Sequence, residues 1–198
     1  IYGVGIIQPI NALRALDVIG CAQPCIDAGF PAAAWGAMYN VDGEFVRDIH
    51  GTPIEGTDLP PMNGVTRPKL HQILTDKAIE EGVEVRYNTT FDDLVENDDS
   101  VTVHFADGST EDFDIVVGAD GVRSSVRRHV LDAVLSPEYI GQSAYRVNIP
   151  LLPEIDRILL QEGPEGMAGF VPIGKDLAYF FYNAEMERNQ RPKDSEIR

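Results

Sequence analysis

The residues best placed to do chemistry lie in one stretch, Asp114-Ile-Val-Val-Gly-Ala-Asp-Gly-Val-Arg-Ser-Ser-Val-Arg127. An apolar run, a Gly-Ala-Asp-Gly turn and a Ser-Ser pair predict a buried strand over Ile115, Val116 and Val117, then a tight turn, then a helix start. Such a corner aims backbone N–H groups and the Asp120 carboxylate at the mouth of an α/β layer, where nucleotides bind. Gly118 and Gly121 permit backbone angles, or a close approach, that a Cβ would block. Ser124 is the expected N-cap, its hydroxyl accepting from first-turn amides. Spacing alone leaves two readings open: a corner that only packs, and one wall of a nucleotide site.

A second candidate is Arg67. Thr66-Arg-Pro-Lys-Leu-His-Gln-Ile-Leu74 predicts a helix capped by Thr66 or Arg67, with Pro68 in its first turn. Leu70, Ile73, Leu74 and Ala78 form its apolar stripe, and Glu80-Glu81-Gly82 closes it. An arginine just before a helix is well placed to hold a phosphate or ribityl oxygen through its guanidinium fork. A solvated surface arginine is the alternative. Arg123, Arg127 and Arg128 form the one dense basic patch of the sequence, with phosphate binding and ordinary surface ion pairing both open.

Other reactive residues point to no centre. Cys21 and Cys25 lie four apart without a second Cys/His cluster, and His50, His71, His104 and His129 are scattered. Ordinary reduced thiols are the expectation. The acidic run Asp92, Asp93, Glu96, Asp98 and Asp99 falls on a predicted hairpin edge without the glycine of a calcium loop, so it reads as a solvated face.

The chain has 198 residues, 32 of them acidic and 16 basic, for a net charge of −16. That excess argues against nucleic acid or an anionic membrane as partner. It leaves room for a phosphate-bearing cofactor, which needs only local amides and arginines. No apolar run approaches the ~20 residues of a membrane span. With no signal peptide in view, a cytoplasmic protein is expected. The chain opens inside an apolar pattern without an initiating Met, as a central piece of something longer would.

The elements that must position these residues follow from periodicity. Residues 1–7 read as the end of a strand, and Pro9 to Val18 as a helix buried through Ile10, Leu13, Leu16 and Ile19, with Gly20 past its end. A β-hairpin turns at Asp42-Gly43, and residues 51–64, rich in Pro and Gly, read as a surface loop. Val83, Val85 and Tyr87 alternate as a strand. Val101, Val103 and Phe105 continue an antiparallel meander expected to lie beside a parallel sheet, with turns at Asn97-Asp98-Asp99 and Asp107-Gly108. Val126, Val130 and Leu131 give a short helix. Strands over 139–150, 158–161, 167–172 and 177–183 then build an antiparallel sheet, and residues 185–198 are charged and expected to be exposed. Tyr145, Tyr179, Phe181 and Tyr182 either line an aromatic pocket or simply pack this sheet.

Gly118-Ala-Asp-Gly-Val-Arg-Ser-Ser-Val-Arg127 resembles, residue for residue, the Asp-Gly motif of the flavin-dependent aromatic hydroxylases, the para-hydroxybenzoate hydroxylase-like flavoprotein monooxygenases. Gly3-Val-Gly-Ile-Ile-Gln-Pro-Ile-Asn-Ala-Leu-Arg-Ala-Leu16 is similar to the stretch after that family's first flavin-binding βαβ segment. The helix opening at Arg67 is similar to its Arg-x-x-Leu helix, whose arginine contacts FAD. The resemblance implies an α/β chain of mixed α+β character: a partial FAD-binding Rossmann-like domain with a β-meander (1–29 and 64–135), and a partial antiparallel-sheet substrate domain (30–63 and 136–198). It implies cofactor binding through Arg67, Asp120 and Gly121, an NAD(P)H donor, and hydroxylation of a small aromatic substrate with O2. No catalytic residue and no metal ligand are assigned.

Two of the family's patterns are not found. Gly3 and Gly5 give Gly-x-Gly, but Gln8 stands where the third fingerprint glycine belongs. The family's later Gly-Asp motif is also missing. This stretch alone is therefore expected neither to retain FAD tightly nor to turn over. A flavin reductase or halogenase of the same fold is an alternative, though Trp35-Gly-Ala-Met does not supply the halogenase Trp-x-Trp pattern. A non-catalytic flavoprotein-like module is another.

Overall fold

Pro9 sets the first boundary. Its extended backbone (φ −66°, ψ 163°) ends strand β1 (Gly5–Pro9) and starts helix α1 (Ile10–Val18), where a missing N–H costs nothing. The computed structural model describes residues 3–51, 55–131 and 135–188. After α1 come α2 (Ala22–Ala28), β2 (Phe30–Ala32), β3 (Gly36–Tyr39), β4 (Phe45–Ile49), β5 (Met62–Thr66) and α3 (Arg67–Glu80). Strands β6 (Phe91–Glu96), β7 (Val101–Phe105) and β8 (Thr110–Phe113) precede α4 (Val126–Val130). Strands β9 (Gln142–Pro150), β10 (Ile158–Gly163), β11 (Gly166–Pro172) and β12 (Leu177–Glu185) complete the chain.

The chain divides into two compact units, Ile1–Val83 with Gly141–Arg198, and Glu84–Ile140. The first holds a three-stranded sheet ordered β1-β5-β2 and a six-stranded sheet ordered β4-β3-β10-β11-β12-β9. Met62, Ile158, Val171, Ile173, Tyr179, Phe181 and Ala32 bury together at its centre, with Val4, Ile7, Phe30 and Trp35 packed on them. Two glycines allow the approach. A Cβ at Gly5 would lie 2.5 Å from Ile173 Cγ2, and one at Gly64 would run into the Pro172 carbonyl oxygen. The second unit is the meander β6-β7-β8, the corner after it and α4.

The mixed α/β architecture, the hairpin turning at Gly43 and the meander appear as expected, and the late strands lie within a few residues of their predicted ends. Other expectations need correction. Among the described residues every strand pairing is antiparallel except β3 with β10, so the meander has no parallel sheet of its own unit beside it. The loop over 51–64 gives way at Met62, because Asn63 and Gly64 are a central, fully buried strand. Helix α2 was not foreseen. In α1 Leu13 alone is buried, while Val18 and Ile19 are exposed, and no residue of α3 is buried, so its apolar stripe stays partly open.

Residues 83–88 and 114–121 form no strand. Neither run finds a hydrogen-bonded partner strand among the described residues, and alternation of side chains alone cannot satisfy backbone N–H and C=O groups. Ile115 and Val117 are accordingly 77% and 80% exposed rather than buried. The predicted exposure of 189–198 lies outside the described residues.

Strand alternation also divides the four aromatic candidates. Tyr179 and Phe181 point into the core, 5% and 8% exposed. Tyr182, one residue on, faces the other side, opposite Tyr145 in the β9–β12 register. Tyr145 instead donates its hydroxyl hydrogen to Met186 Sδ, 3.4 Å away.

Candidate functional site

In the meander-bearing unit, the Asp-Gly corner is built around one carboxylate. Asp120 Oδ1 accepts from the Ser124 hydroxyl at 2.5 Å, and Oδ2 accepts from the Ser125 and Val126 backbone N–H groups at 2.5 and 3.2 Å. These are orphan donors at the start of α4, where a negative charge also meets the favourable end of the helix dipole. The Ser124 hydroxyl, and then those N–H groups, hold the Asp120 carboxyl down at about 2. Ser124 Oγ accepts from the Arg127 N–H at 2.9 Å, so the expected serine bonds the first turn, although the N-cap position itself is Ser125, one residue later than expected. Gly118 lets the turn close on α4, since a Cβ there would lie 2.7 Å from Val126 Cβ. Gly121 has φ 81° with open space around it, a turn position that suits glycine.

Asp120 and Gly121 are both exposed. The basic patch has local partners: Arg127 Nη2 donates to the Val122 carbonyl at 2.6 Å, and Arg128 Nη2 to Ser125 Oγ at 2.8 Å. Arg123 has no such bond among the described residues.

In the core-bearing unit, Arg67 sits where β5 becomes α3. Thr66 is the N-cap, its Oγ1 accepting from the Lys69 N–H at 3.4 Å. The Arg67 N–H donates to the Val4 carbonyl at 3.2 Å, tying the junction to the chain entering β1. The side chain runs over Gly3, where a Cβ would come within 2.6 Å of Arg67 Cδ. Its guanidinium is exposed and pairs with no carboxylate among the described residues.

This junction is braced from below by residues that sequence reasoning missed. Gln8 and Asn63 face each other in the β1–β5 register and are 2% and 0% exposed. Asn63 Nδ2 donates to Gln8 Oε1 at 2.8 Å and to the Cys25 carbonyl at 3.0 Å, locking β1, β5 and α2 together. Gln8 had counted only as the wrong residue for a fingerprint glycine. The available signal was a polar residue between the apolar positions of β1, which marks a buried bond. Cys21 and Cys25 are free and buried, and burial pushes the Cys25 thiol up, as ordinary packed thiols require.

What these two places can do is bind. One offers a guanidinium, unpaired among the described residues, on a braced strand–helix junction. The other offers an open glycine turn whose acid is already ordered. Both suit the phosphates and sugar hydroxyls of a dinucleotide. Among the described residues no group of three or more His, Cys, Asp or Glu is arranged to hold a metal ion. No described helix is long and apolar enough to cross a membrane.

Residues 5–197 match the family model described as an FAD binding domain. The 6-hydroxynicotinate 3-monooxygenase of Pseudomonas fluorescens is 37% identical over 175 residues, 86% of this chain and 41% of that protein. The aurachin C monooxygenase/isomerase of Stigmatella aurantiaca is 30% identical over 188 residues, 92% of this chain and 47% of that protein. The crystal structure of Klebsiella pneumoniae HpxO complexed with FAD and uric acid superposes with a TM-score of 0.83 at 20% identity, over 98% of this chain and 50% of that one. The chain thus spans about half the length of the proteins it matches.

Proposed function

This chain belongs to the FAD-binding domain family, and from that premise we propose that it forms part of an FAD-dependent monooxygenase hydroxylating a small aromatic substrate with NAD(P)H and O2. The observation that carries the reading is Arg67: a guanidinium with no carboxylate partner among the described residues, at a strand–helix junction, given room by Gly3 and held by the Gln8–Asn63 brace. Relatives named for the hydroxylation of aromatic rings support the choice of chemistry.

Arg67 holds phosphate or ribityl oxygens of the dinucleotide, and the corner at Asp120 and Gly121 presents backbone to the same class of ligand. Asp120 acts through the turn it caps, because both its oxygens are committed to Ser124, Ser125 and Val126. FAD, when bound, supplies the redox and oxygen chemistry. The cofactor side comprises 1–29 and 64–135 and the substrate side 30–63 and 136–198. Arg67 and the Asp120–Gly121 corner are each a partial contact for the cofactor, so the chain alone binds FAD weakly. Reduced, buried thiols fit a cytoplasmic setting.

The test is oxygen uptake coupled to NADH or NADPH oxidation by the FAD-loaded full-length protein of which this chain forms part, with a panel of hydroxylated benzoates and pyridines. Oxidation stimulated by an aromatic compound, with a hydroxylated product, is expected. FAD binding without any aromatic-dependent oxidation would instead identify a non-catalytic module.

A further inference from the structure

A sheet with one face in water alternates apolar and polar residues along its strands. Strands β11 and β12 do not. They read Gly-Met-Ala-Gly-Phe-Val-Pro and Leu-Ala-Tyr-Phe-Phe-Tyr-Asn-Ala-Glu, apolar or aromatic at nearly every step. That is the pattern of strands covered on both faces.

One face is accounted for: Ile158, Val171, Tyr179 and Phe181 point into the core. Their neighbours along each strand point the other way. On that outer face Val147, Phe180, Phe170 and Leu159 line up in one row across β9, β12, β11 and β10. A second row beside it carries Tyr182, Tyr39 and Phe45. Phe170 and Phe180 pack with ring centroids 5.3 Å apart, and Tyr39 meets Phe45 edge to face at 5.9 Å. The aromatic residues between the margins are half-buried, while Val147 and Phe45, at the two margins, are 54% and 57% exposed. Helices α1, α2 and α3 pack on β1, β2 and β5 instead. A contiguous aromatic face of this kind marks an interaction surface.

Its chemistry selects the occupant. A sheet face offers no free backbone groups, so a segment laid on it must satisfy its own, as a helix does. The rim at one end of the sheet is acidic. Asp42 and Glu44 lie on the β3–β4 hairpin, Glu162 and Glu165 at the β10–β11 hairpin, and Glu185 at the end of β12, all exposed. Arg157 does not offset them, being paired with Asp48 at 3.2 Å and Asp156 at 3.1 Å. A second copy would set this acidic rim against itself, whereas a helix with a basic flank complements it. The proteins this chain matches are about twice its length, room enough for such a helix.

We propose that the outer face of the six-stranded sheet docks an amphipathic helix with a basic flank, supplied by the part of the full-length protein outside residues 1–198. The docking rests on the chain forming part of a longer protein, and not on its redox chemistry.

Hydroxyl-radical footprinting of the 198-residue chain and of the full-length protein tests this. In the chain Phe170, Phe180 and Tyr182 are expected to react well above the core residues Tyr179 and Phe181, at every protein concentration. In the full-length protein their reactivity falls to the core level. Val147→Asp lowers the melting temperature of the full-length protein by at least about 3 °C more than that of the chain. Glu162→Lys with Glu165→Lys destabilises the full-length protein at low salt and much less at high salt. The sign is diagnostic, because a chain of net charge −16 otherwise gains stability from added positive charge. Equal reactivity in both proteins leaves the face open and overturns the proposal. Protection in the chain alone that deepens with concentration identifies a second copy and overturns it too, and a stabilising charge reversal removes the basic helix. None of these readouts uses FAD or turnover, so their failure leaves the monooxygenase reading standing. Absence of aromatic-dependent oxidation would sink that reading and leave the docked helix in place.

Discussion

In the unit formed by Ile1–Val83 and Gly141–Arg198, Leu13, Met62, Val65, Val171 and Ile173 are closed off from solvent entirely. In Glu84–Ile140, Val103 is the one apolar side chain among the described residues that is buried, while Ile115, Val117, Val122 and Val130 are each more than 60% exposed. The first unit is held by a hydrophobic core braced by one amide pair. The second is held by its strand ladder and by local polar bonds: the Asp120 cap, Thr102 Oγ1 to Asp112 Oδ1 at 2.5 Å, and Arg86 between Glu84 and Glu111. The two cofactor-side candidates therefore rest on different physics. Arg67 is aimed by a packed core, and the Asp-Gly turn is shaped by its own capping.

Substitutions should separate the two units. Ile158→Ala removes a fully buried side chain at the centre of the core and should cost about 2–5 kcal/mol in chemical denaturation. Val103→Ala should cost about 1–3 kcal/mol and act on the meander, read as faster amide exchange in β6, β7 and β8 with the other sheets unchanged. Equal acceleration in both units would erase the distinction.

Asp120→Asn should leave the core untouched while the Ser125 and Val126 amides lose exchange protection. The pH dependence has a definite sign. The folded carboxyl, at about 2, lies below the usual aspartate value of about 3.9, so the cap contributes fully above that value and is lost as pH falls through about 2. Wild-type protection at these amides should fall over that window, and the variant's should not follow it. Arg86→Ala should do least: its ion pairs with Glu84 and Glu111 are exposed, and the denaturation midpoint should not move measurably.

Much of this was readable in the residues, and the difference between the units explains what was not. The hairpin at Asp42-Gly43, the Thr66 cap with Pro68 behind it, and the Ser124 hydroxyl at the start of α4 are local devices, written in short spacings. Residues 83–88 and 114–121 misled because their alternation or apolarity was genuine, but a strand also needs a neighbour to bond. Helix α2 was hidden by two cysteines and a proline, which carry little helical signal, although tertiary burial of Cys25 favours the turn. Asn63 and Gly64 looked like loop residues. They are buried because an amide finds Gln8 fifty-five residues away and a glycine fits against Pro172, pairings that no local window contains. Arg67 was legible as a candidate, but the room made for it by Gly3 and the absence of a carboxylate partner among the described residues needed three dimensions.

The most direct measurement is a titration of FAD fluorescence with the wild-type protein and with Arg67→Gln. Weak but saturable binding is expected for the wild type, and binding weaker by at least about tenfold for the variant, as the loss of a guanidinium–phosphate pair requires. Superimposable isotherms for the two proteins would contradict the assignment of Arg67 to the cofactor.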